Sequence, residues 1–192
     1  MADVFTGCTS DREALRNLLY FNKTFYTSAC FKIFRADILR NIRFPKGLYY
    51  EDLATVYKIY FQAGRIAFTD EPMYGYRVNM NSIMHKSYSP QVMSCIPVSR
   101  QIYSDVSEKY PALSQSAASI AFNINRTVFQ NLPHGRKEER RKVWAEIVKY
   151  RRAVLTDKHA RKLERLMALA SYAGPAMFRL LSGLFRLYHS IR

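Results

Sequence analysis

The segment that decides the fold runs from Thr27 to Met84 and reads TSACFKIFRADILRNIRFPKGLYYEDLATVYKIYFQAGRIAFTDEPMYGYRVNMNSIM. Near its centre, an adjacent acidic pair follows a Phe-Pro-Lys-Gly turn at 44–47 and two tyrosines. From Glu51, apolar residues recur at helical spacing until Gly64, which predicts a helix that ends at this glycine. Turn residues and short β-prone runs flank the helix, and they predict strands at 26–34, 65–69 and 73–78.

On both sides of this segment, the sequence predicts mainly helices. Before it, Ser10 and Glu13 form a capping-box pattern that predicts a helix over 11–21. After it, the pattern is helical throughout, with segments predicted at 89–109, 111–131, 136–154, 156–172 and 175–191. The break at 131–135 is the clearest one in this region. We therefore predict an α+β fold with three parts: 1–88, a helical subdomain at 89–133, and a basic helical extension at 134–192.

The charge of the chain is strongly positive and unevenly distributed. The net charge is +15, and residues 134–192 hold 15 of the 30 Lys and Arg but only five acids, which gives this part +10. A basic half of this kind indicates an anionic partner. The three cysteines are scattered, which argues against a disulfide framework or a zinc site.

Three motifs in the central segment resemble one known family. They are KIFRADIL at 32–39, IRFP at 42–45 with YED at 50–52, and PMYGYR at 72–77 with SIM at 82–84. In order and spacing they resemble the C-terminal half of the catalytic domain of bacterial family-2 glycosyltransferases, which have the GT-A fold. The resemblance implies a partial GT-A-like subdomain that lies on the acceptor side of the active site.

The resemblance also implies an activity. The whole enzyme would transfer a sugar from a nucleotide-sugar donor to a polysaccharide or lipid-linked acceptor in cell-surface polysaccharide biosynthesis. The family's donor-binding half carries an Asp-x-Asp motif that holds a divalent metal, Mg²⁺ or Mn²⁺. This sequence contains neither that half nor the motif. We therefore expect the chain to be incomplete for catalysis alone, with no cofactor of its own. The alternative is a non-catalytic module, derived from the acceptor half, that docks on a membrane or a partner.

By the same resemblance, Asp52 is the base that deprotonates the acceptor hydroxyl, and Glu51 orients it or the acceptor. A carboxylate within hydrogen-bond reach of that hydroxyl suits this role. The residues alone leave another interpretation open, because carboxylates at the start of a helix also stabilise the positive end of its dipole.

Four further residues are candidate substrate ligands, and one is a candidate metal ligand. The substrate ligands are Lys32, Tyr49, Tyr50 and Arg77, and the metal ligand, by resemblance, is His85. Arg77 suits phosphate binding, although an ordinary ion pair with a nearby acid is an equal alternative. The tyrosine pair suits stacking on a sugar ring or packing beneath the turn.

The last predicted helix is amphipathic, with a wide apolar face and arginines opposite, which is typical of helices that lie in the plane of a membrane. The residues expected to dock are Phe178, Arg179, Leu181, Phe185 and Arg186. The alternative is that this helix packs as ordinary core. We expect an anionic membrane partner and a cytoplasmic, peripheral position on the inner face of the bacterial membrane. We expect no nucleic-acid partner, because no recognition motif is present.

Overall fold

The structure is a computed structural model that describes residues 6–22, 24–75, 77 and 88–190, with side chains as far as residue 183. The chain divides into two compact units, Met1–Gln91 and Val92–Arg192. A small antiparallel sheet and a majority of helix confirm the predicted α+β class. The finer division at residues 88 and 133 stays a prediction.

The described residues of the first unit form two strands and two helices. In chain order they are β1 (Thr6–Ser10), α1 (Asp11–Leu19), α2 (Glu51–Ala63) and β2 (Arg65–Thr69). The strands pair antiparallel, with Thr6 opposite Thr69 and Ser10 opposite Arg65. The ring of Phe68 crosses the sheet at Gly7, where a Cβ atom would lie 2.5 Å from the ring. This close approach favours glycine at that position, because a larger residue would displace the ring of Phe68.

Local sequence sets the ends of both helices. The Ser10 hydroxyl accepts a hydrogen bond from the backbone N–H of Glu13, so the predicted cap of α1 is confirmed. Gly64 ends α2 with φ +65°, as the sequence indicates. Its carbonyl accepts from the N–H of Asp11 at 3.1 Å, which joins the end of α2 to the start of α1.

The strand predicted at 26–34 is wrong, because this segment consists of turns, bends and irregular backbone. The Ser28 hydroxyl accepts from the N–H of Cys30, and Phe31 takes the left-handed φ of +62°. Local side-chain bonds of this kind compete with strand pairing. The strand predicted at 73–78 is also absent from the described residues of that range, 73–75 and 77.

The second unit is helical. Its helices are α3 (Cys95–Lys109), α4 (Ser114–Asn131), α5 (Lys137–Thr156), α6 (Lys162–Ala170) and α7 (Pro175–Ser190). Short 3₁₀ turns precede α3, α4 and α7 at Pro90–Ser94, Pro111–Leu113 and Ser171–Ala173. The five predicted helical segments are thus confirmed, although α6 is shorter than expected.

Buried ion pairs and aromatic contacts join these helices. Glu164 is almost fully buried, and Arg126 donates to both of its carboxylate oxygens, at 2.9 and 3.0 Å. A bidentate pair of this kind satisfies a carboxylate that would otherwise be costly to bury. The ring centroids of Phe129 on α4 and Trp144 on α5 lie 5.2 Å apart, and this contact packs the two helices together.

Candidate functional site

The acidic pair opens α2 through an unusual turn. Tyr50 precedes the helix with φ +66°, in the left-handed region, and makes no side-chain cap. A tyrosine in this region is uncommon and costs conformational energy. Glu51 is exposed, whereas Asp52 is half-buried. The two neighbouring carboxylates therefore have different surroundings.

Ser28 connects Asp52 to Lys32. Its hydroxyl donates to Asp52 Oδ2 at 3.1 Å, and its carbonyl accepts from Lys32 Nζ at 2.6 Å. The same hydroxyl accepts from the N–H of Cys30, which fixes its orientation. The structure thus brings together two residues that the sequence assigned separately, Asp52 and Lys32. The sequence alone does not indicate Ser28, which forms hydrogen bonds with both of them.

The ammonium group of Lys32 is perturbed by its position. Burial lowers the pKa of Lys32 from 10.5 to about 8, and the negative charge of Asp52 opposes this shift. At pH 7 the amine is still mostly protonated and lies near a carboxylate. This arrangement suits the binding of hydroxyl or anionic groups on one side of Asp52.

We expect Lys32 to titrate near pH 8 in the folded chain. Competitive acetylation followed by mass spectrometry, over a range of pH, measures this, with the exposed Lys46 as an internal reference for the reagent. Because Asp52 raises the pKa of Lys32, an Asp52→Asn variant should lower that pKa below its wild-type value. An unshifted lysine near 10.5, or no response to Asp52→Asn, would contradict the described cluster.

A group of half-exposed aromatic rings adjoins the cluster in the chain. Phe31, between Cys30 and Lys32, lies 4.6 Å from the Tyr74 ring and 6.1 Å from the Tyr26 ring, measured between centroids. All three side chains are at least half exposed. We call Tyr26, Phe31 and Tyr74 the aromatic surface. Its rings offer flat apolar faces to solvent beside a charged cluster.

The remaining predicted ligands occupy different places. Tyr49 and Tyr50 are half-buried, so sugar stacking by them stays a prediction. Arg77 is exposed, and its assignment to substrate also stays a prediction. His85 lies outside the described residues. Across the described part of the chain, His, Cys, Asp and Glu form no group of three or more that suits a metal ion.

The structure corrects one residue of the predicted membrane helix. Phe178 is completely buried, with its ring 5.7 Å from that of Phe129 and 5.3 Å from that of Trp144. This burial contradicts the prediction that Phe178 faces a membrane. Phe178 lies on the border of the apolar face, and such residues pack inward or outward according to neighbours that the sequence does not show.

The other predicted docking residues are less buried or lie beyond the described side chains. Leu181 and Arg179 are half-buried residues, and Arg179 Nη2 lies 3.3 Å from His134 Nε2 in an exposed contact. The side chains of Phe185 and Arg186 are outside the described residues. In the described part of the chain, no helix combines the length and apolar character that a bilayer span requires.

Comparison with known proteins adds one partial similarity. The chain is similar to the glycosyltransferase GlyG of Streptococcus pneumoniae, with 28% identity over 68 residues. The match covers 35% of this chain and 23% of the relative, so the chain spans about a quarter of that protein's length. No family model and no solved structure matches. The similarity supports a relationship to glycosyltransferases.

Proposed function

We propose that this chain carries the acceptor side of a family-2 glycosyltransferase of the GT-A type. The observation that carries the proposal is the position of Asp52, at the start of α2, bonded to Ser28 and close to Lys32. The motifs at 32–39, 42–52 and 72–84 and the partial similarity to a glycosyltransferase support it.

In the proposed reaction, the acceptor hydroxyl attacks the anomeric carbon of the donor sugar. The new bond joins the acceptor oxygen to that carbon, while the bond from the carbon to the diphosphate oxygen breaks. Asp52 takes the proton from the attacking hydroxyl, so that the oxygen gains nucleophilicity as the bond forms. The nucleoside diphosphate leaves with the bonding electron pair, and the configuration at the anomeric carbon is inverted.

The neighbouring residues have supporting roles. The hydrogen bond from Ser28 holds the Asp52 carboxylate in one orientation, and such positioning contributes to rate. Glu51 is exposed beside it and helps to orient the acceptor. The aromatic surface offers rings on which a glycan or glycolipid acceptor can lie.

The proposal does not place the nucleotide-sugar donor or its metal ion on the described residues. In the described residues, His, Cys, Asp and Glu form no group that could hold Mg²⁺ or Mn²⁺. A divalent ion in the complete site would neutralise the charge of the leaving diphosphate. We propose that a donor-binding segment outside these 192 residues holds the nucleotide-sugar and this ion.

The test is a transfer assay on the protein as the cell produces it, with any sequence that flanks these residues. Radiolabelled nucleotide-sugars are supplied singly, together with glycan and lipid-linked acceptors extracted from the source cells. We expect label from one donor to appear in an acceptor and the nucleoside diphosphate to be released in equal amount. Absence of transfer from every donor, with a correctly folded protein, would contradict the proposal and favour a non-catalytic module.

A further inference from the structure

The acidic side chains between Arg140 and Gly183 are buried. From Arg140 to Gly183 the sequence contains eleven Lys and Arg but only three carboxylates, Glu146, Asp157 and Glu164. All three carboxylate side chains are buried. Glu146 accepts from Arg100 and Glu164 from Arg126, so these acids neutralise cations of α3 and α4. The solvent-facing charge of this region is therefore more positive than its composition indicates.

Four exposed cations lie in and just before the first turns of α6. Lys158, Arg161, Lys162 and Arg165 are all exposed, within the loop before α6 and its first turns. The only carboxylate of α6, Glu164, is turned into the core. This part of the surface thus has positive charge with no exposed acid of the same helix to balance it.

Apolar side chains are exposed on the same stretch of chain. On α6, Leu166 and Leu169 stand three residues apart and are 43% and 55% exposed. On α7, Met177 and Leu180 have the same spacing and are 43% and 59% exposed. Residues three apart on a helix share a face, so each helix presents an apolar pair to solvent. We call these four residues the apolar pairs.

Between the two helices lies an amphipathic aromatic residue. Tyr172 is half-exposed, and the guanidinium of Arg151 lies 3.9 Å from the centre of its ring. Arg151 also donates to the carbonyl of Ser171. Tyrosine and arginine with apolar bodies and polar ends suit the boundary between water and lipid headgroups.

We propose that the apolar pairs, together with the exposed cations in and just before the first turns of α6, dock the chain on an anionic phospholipid bilayer, in the plane of its surface. The cations attract the headgroups, while the leucines and the methionine enter the boundary with the acyl chains. Exposed leucines would gain nothing from the phosphate backbone of a nucleic acid, so the combination favours lipid. This surface belongs to the helical unit and does not depend on Asp52 or on the proposed transfer reaction.

Vesicle sedimentation with the 192-residue chain tests this proposal. The vesicles consist of phosphatidylcholine alone or mixed with an equal amount of phosphatidylglycerol. We expect a partition coefficient at least about tenfold higher for the anionic vesicles, since each basic residue near such a surface adds to binding. Binding should weaken as salt rises, because salt screens exposed charges.

Three double substitutions separate the apolar contribution from net charge. Leu169→Glu with Leu180→Glu should lower the anionic partition coefficient by at least about tenfold, because charged groups cannot enter the acyl boundary. Ile33→Glu with Met73→Glu makes the same charge change at exposed apolar positions of the first unit and should have a much smaller effect. Leu169→Ala with Leu180→Ala keeps the charge and the helix propensity, and it should give an intermediate loss.

Three results would overturn the proposal. The first is equal binding to neutral and anionic vesicles. The second is an equal loss of anionic-vesicle binding in the two double-glutamate variants. The third is that single-stranded DNA abolishes vesicle binding while the leucine variants still bind anionic vesicles as the wild type does. The last of these would assign the cations to nucleic acid. Fluorescence of Trp144 confirms that each variant keeps the fold of the helical unit.

Discussion

An Asp52→Asn variant is expected to transfer sugar about 10²- to 10⁴-fold more slowly than the wild-type protein, which is the usual contribution of a positioned general base. Asparagine has almost the same shape, and its amide oxygen can still accept from Ser28, so the local geometry should persist. What is lost is the ability to take a proton. Initial rates measured in the protein at its natural length provide the test.

Donor binding distinguishes loss of the base from loss of the fold. Because the role proposed for Asp52 is to deprotonate the acceptor hydroxyl, the affinity for the nucleotide-sugar should stay nearly unchanged. The matched control is Asp37→Asn, since Asp37 is an exposed carboxylate of the same unit that pairs with Arg35. This control should retain the wild-type rate. Near-wild-type turnover in Asp52→Asn would show that another group is the base.

A Phe178→Ala variant is expected to destabilise the helical unit by about 3–5 kcal/mol, as large-to-small substitutions of buried aromatic residues do. Phe178 is fully buried and contacts Phe129 and Trp144. Removing its ring leaves a cavity between α4, α5 and α7. Trp144 is the single tryptophan of the chain, so its fluorescence during urea unfolding reports on this unit directly.

The neighbouring residue supplies the control for Phe178. Met177 is 43% exposed, and Met177→Ala should change the free energy of unfolding by less than about 0.5 kcal/mol, as is usual for surface positions. Equal and small effects of both substitutions would mean that α7 does not pack as described. A loss confined to Phe178→Ala would establish that this residue supports the core instead of a membrane contact.

The parts of the fold that sequence predicted are those set by local chemistry. The cap at Ser10 and the stop at Gly64 define the start of α1 and the end of α2, and each acts within a few residues of itself. The helices of the second unit follow from apolar periodicity in the same way. Such features need no knowledge of distant contacts.

The parts that sequence missed depend on contacts between distant residues. Strand β1 has no apolar alternation. It forms because Thr6–Ser10 pairs with Arg65–Thr69, about sixty residues later in the chain. The segment 26–34 looks like a strand by composition, yet Ser28 uses its hydroxyl on the local backbone and on Asp52. Neither outcome can be derived from a local window.

The candidate site also contains residues that the sequence indicated and one that only the structure reveals. The resemblance selected Asp52 and Lys32, and the structure places both around Ser28. The role of Ser28 was not predictable, because its partner is 24 residues away and serine is common in turns. A serine two residues before Cys30 indicates a local turn but gives no sign of the carboxylate that it also contacts.

The most direct measurement for the proposed role of Asp52 is a double-mutant cycle of Ser28→Ala and Asp52→Asn in the transfer assay. Ser28→Ala removes the hydroxyl and keeps the carbonyl that binds Lys32, and it should slow transfer by about 10- to 100-fold through misplacement of the base. If Ser28 acts through Asp52, the double variant should be no slower than Asp52→Asn alone. Losses that multiply in the double variant would contradict the account, since the two residues would then act independently.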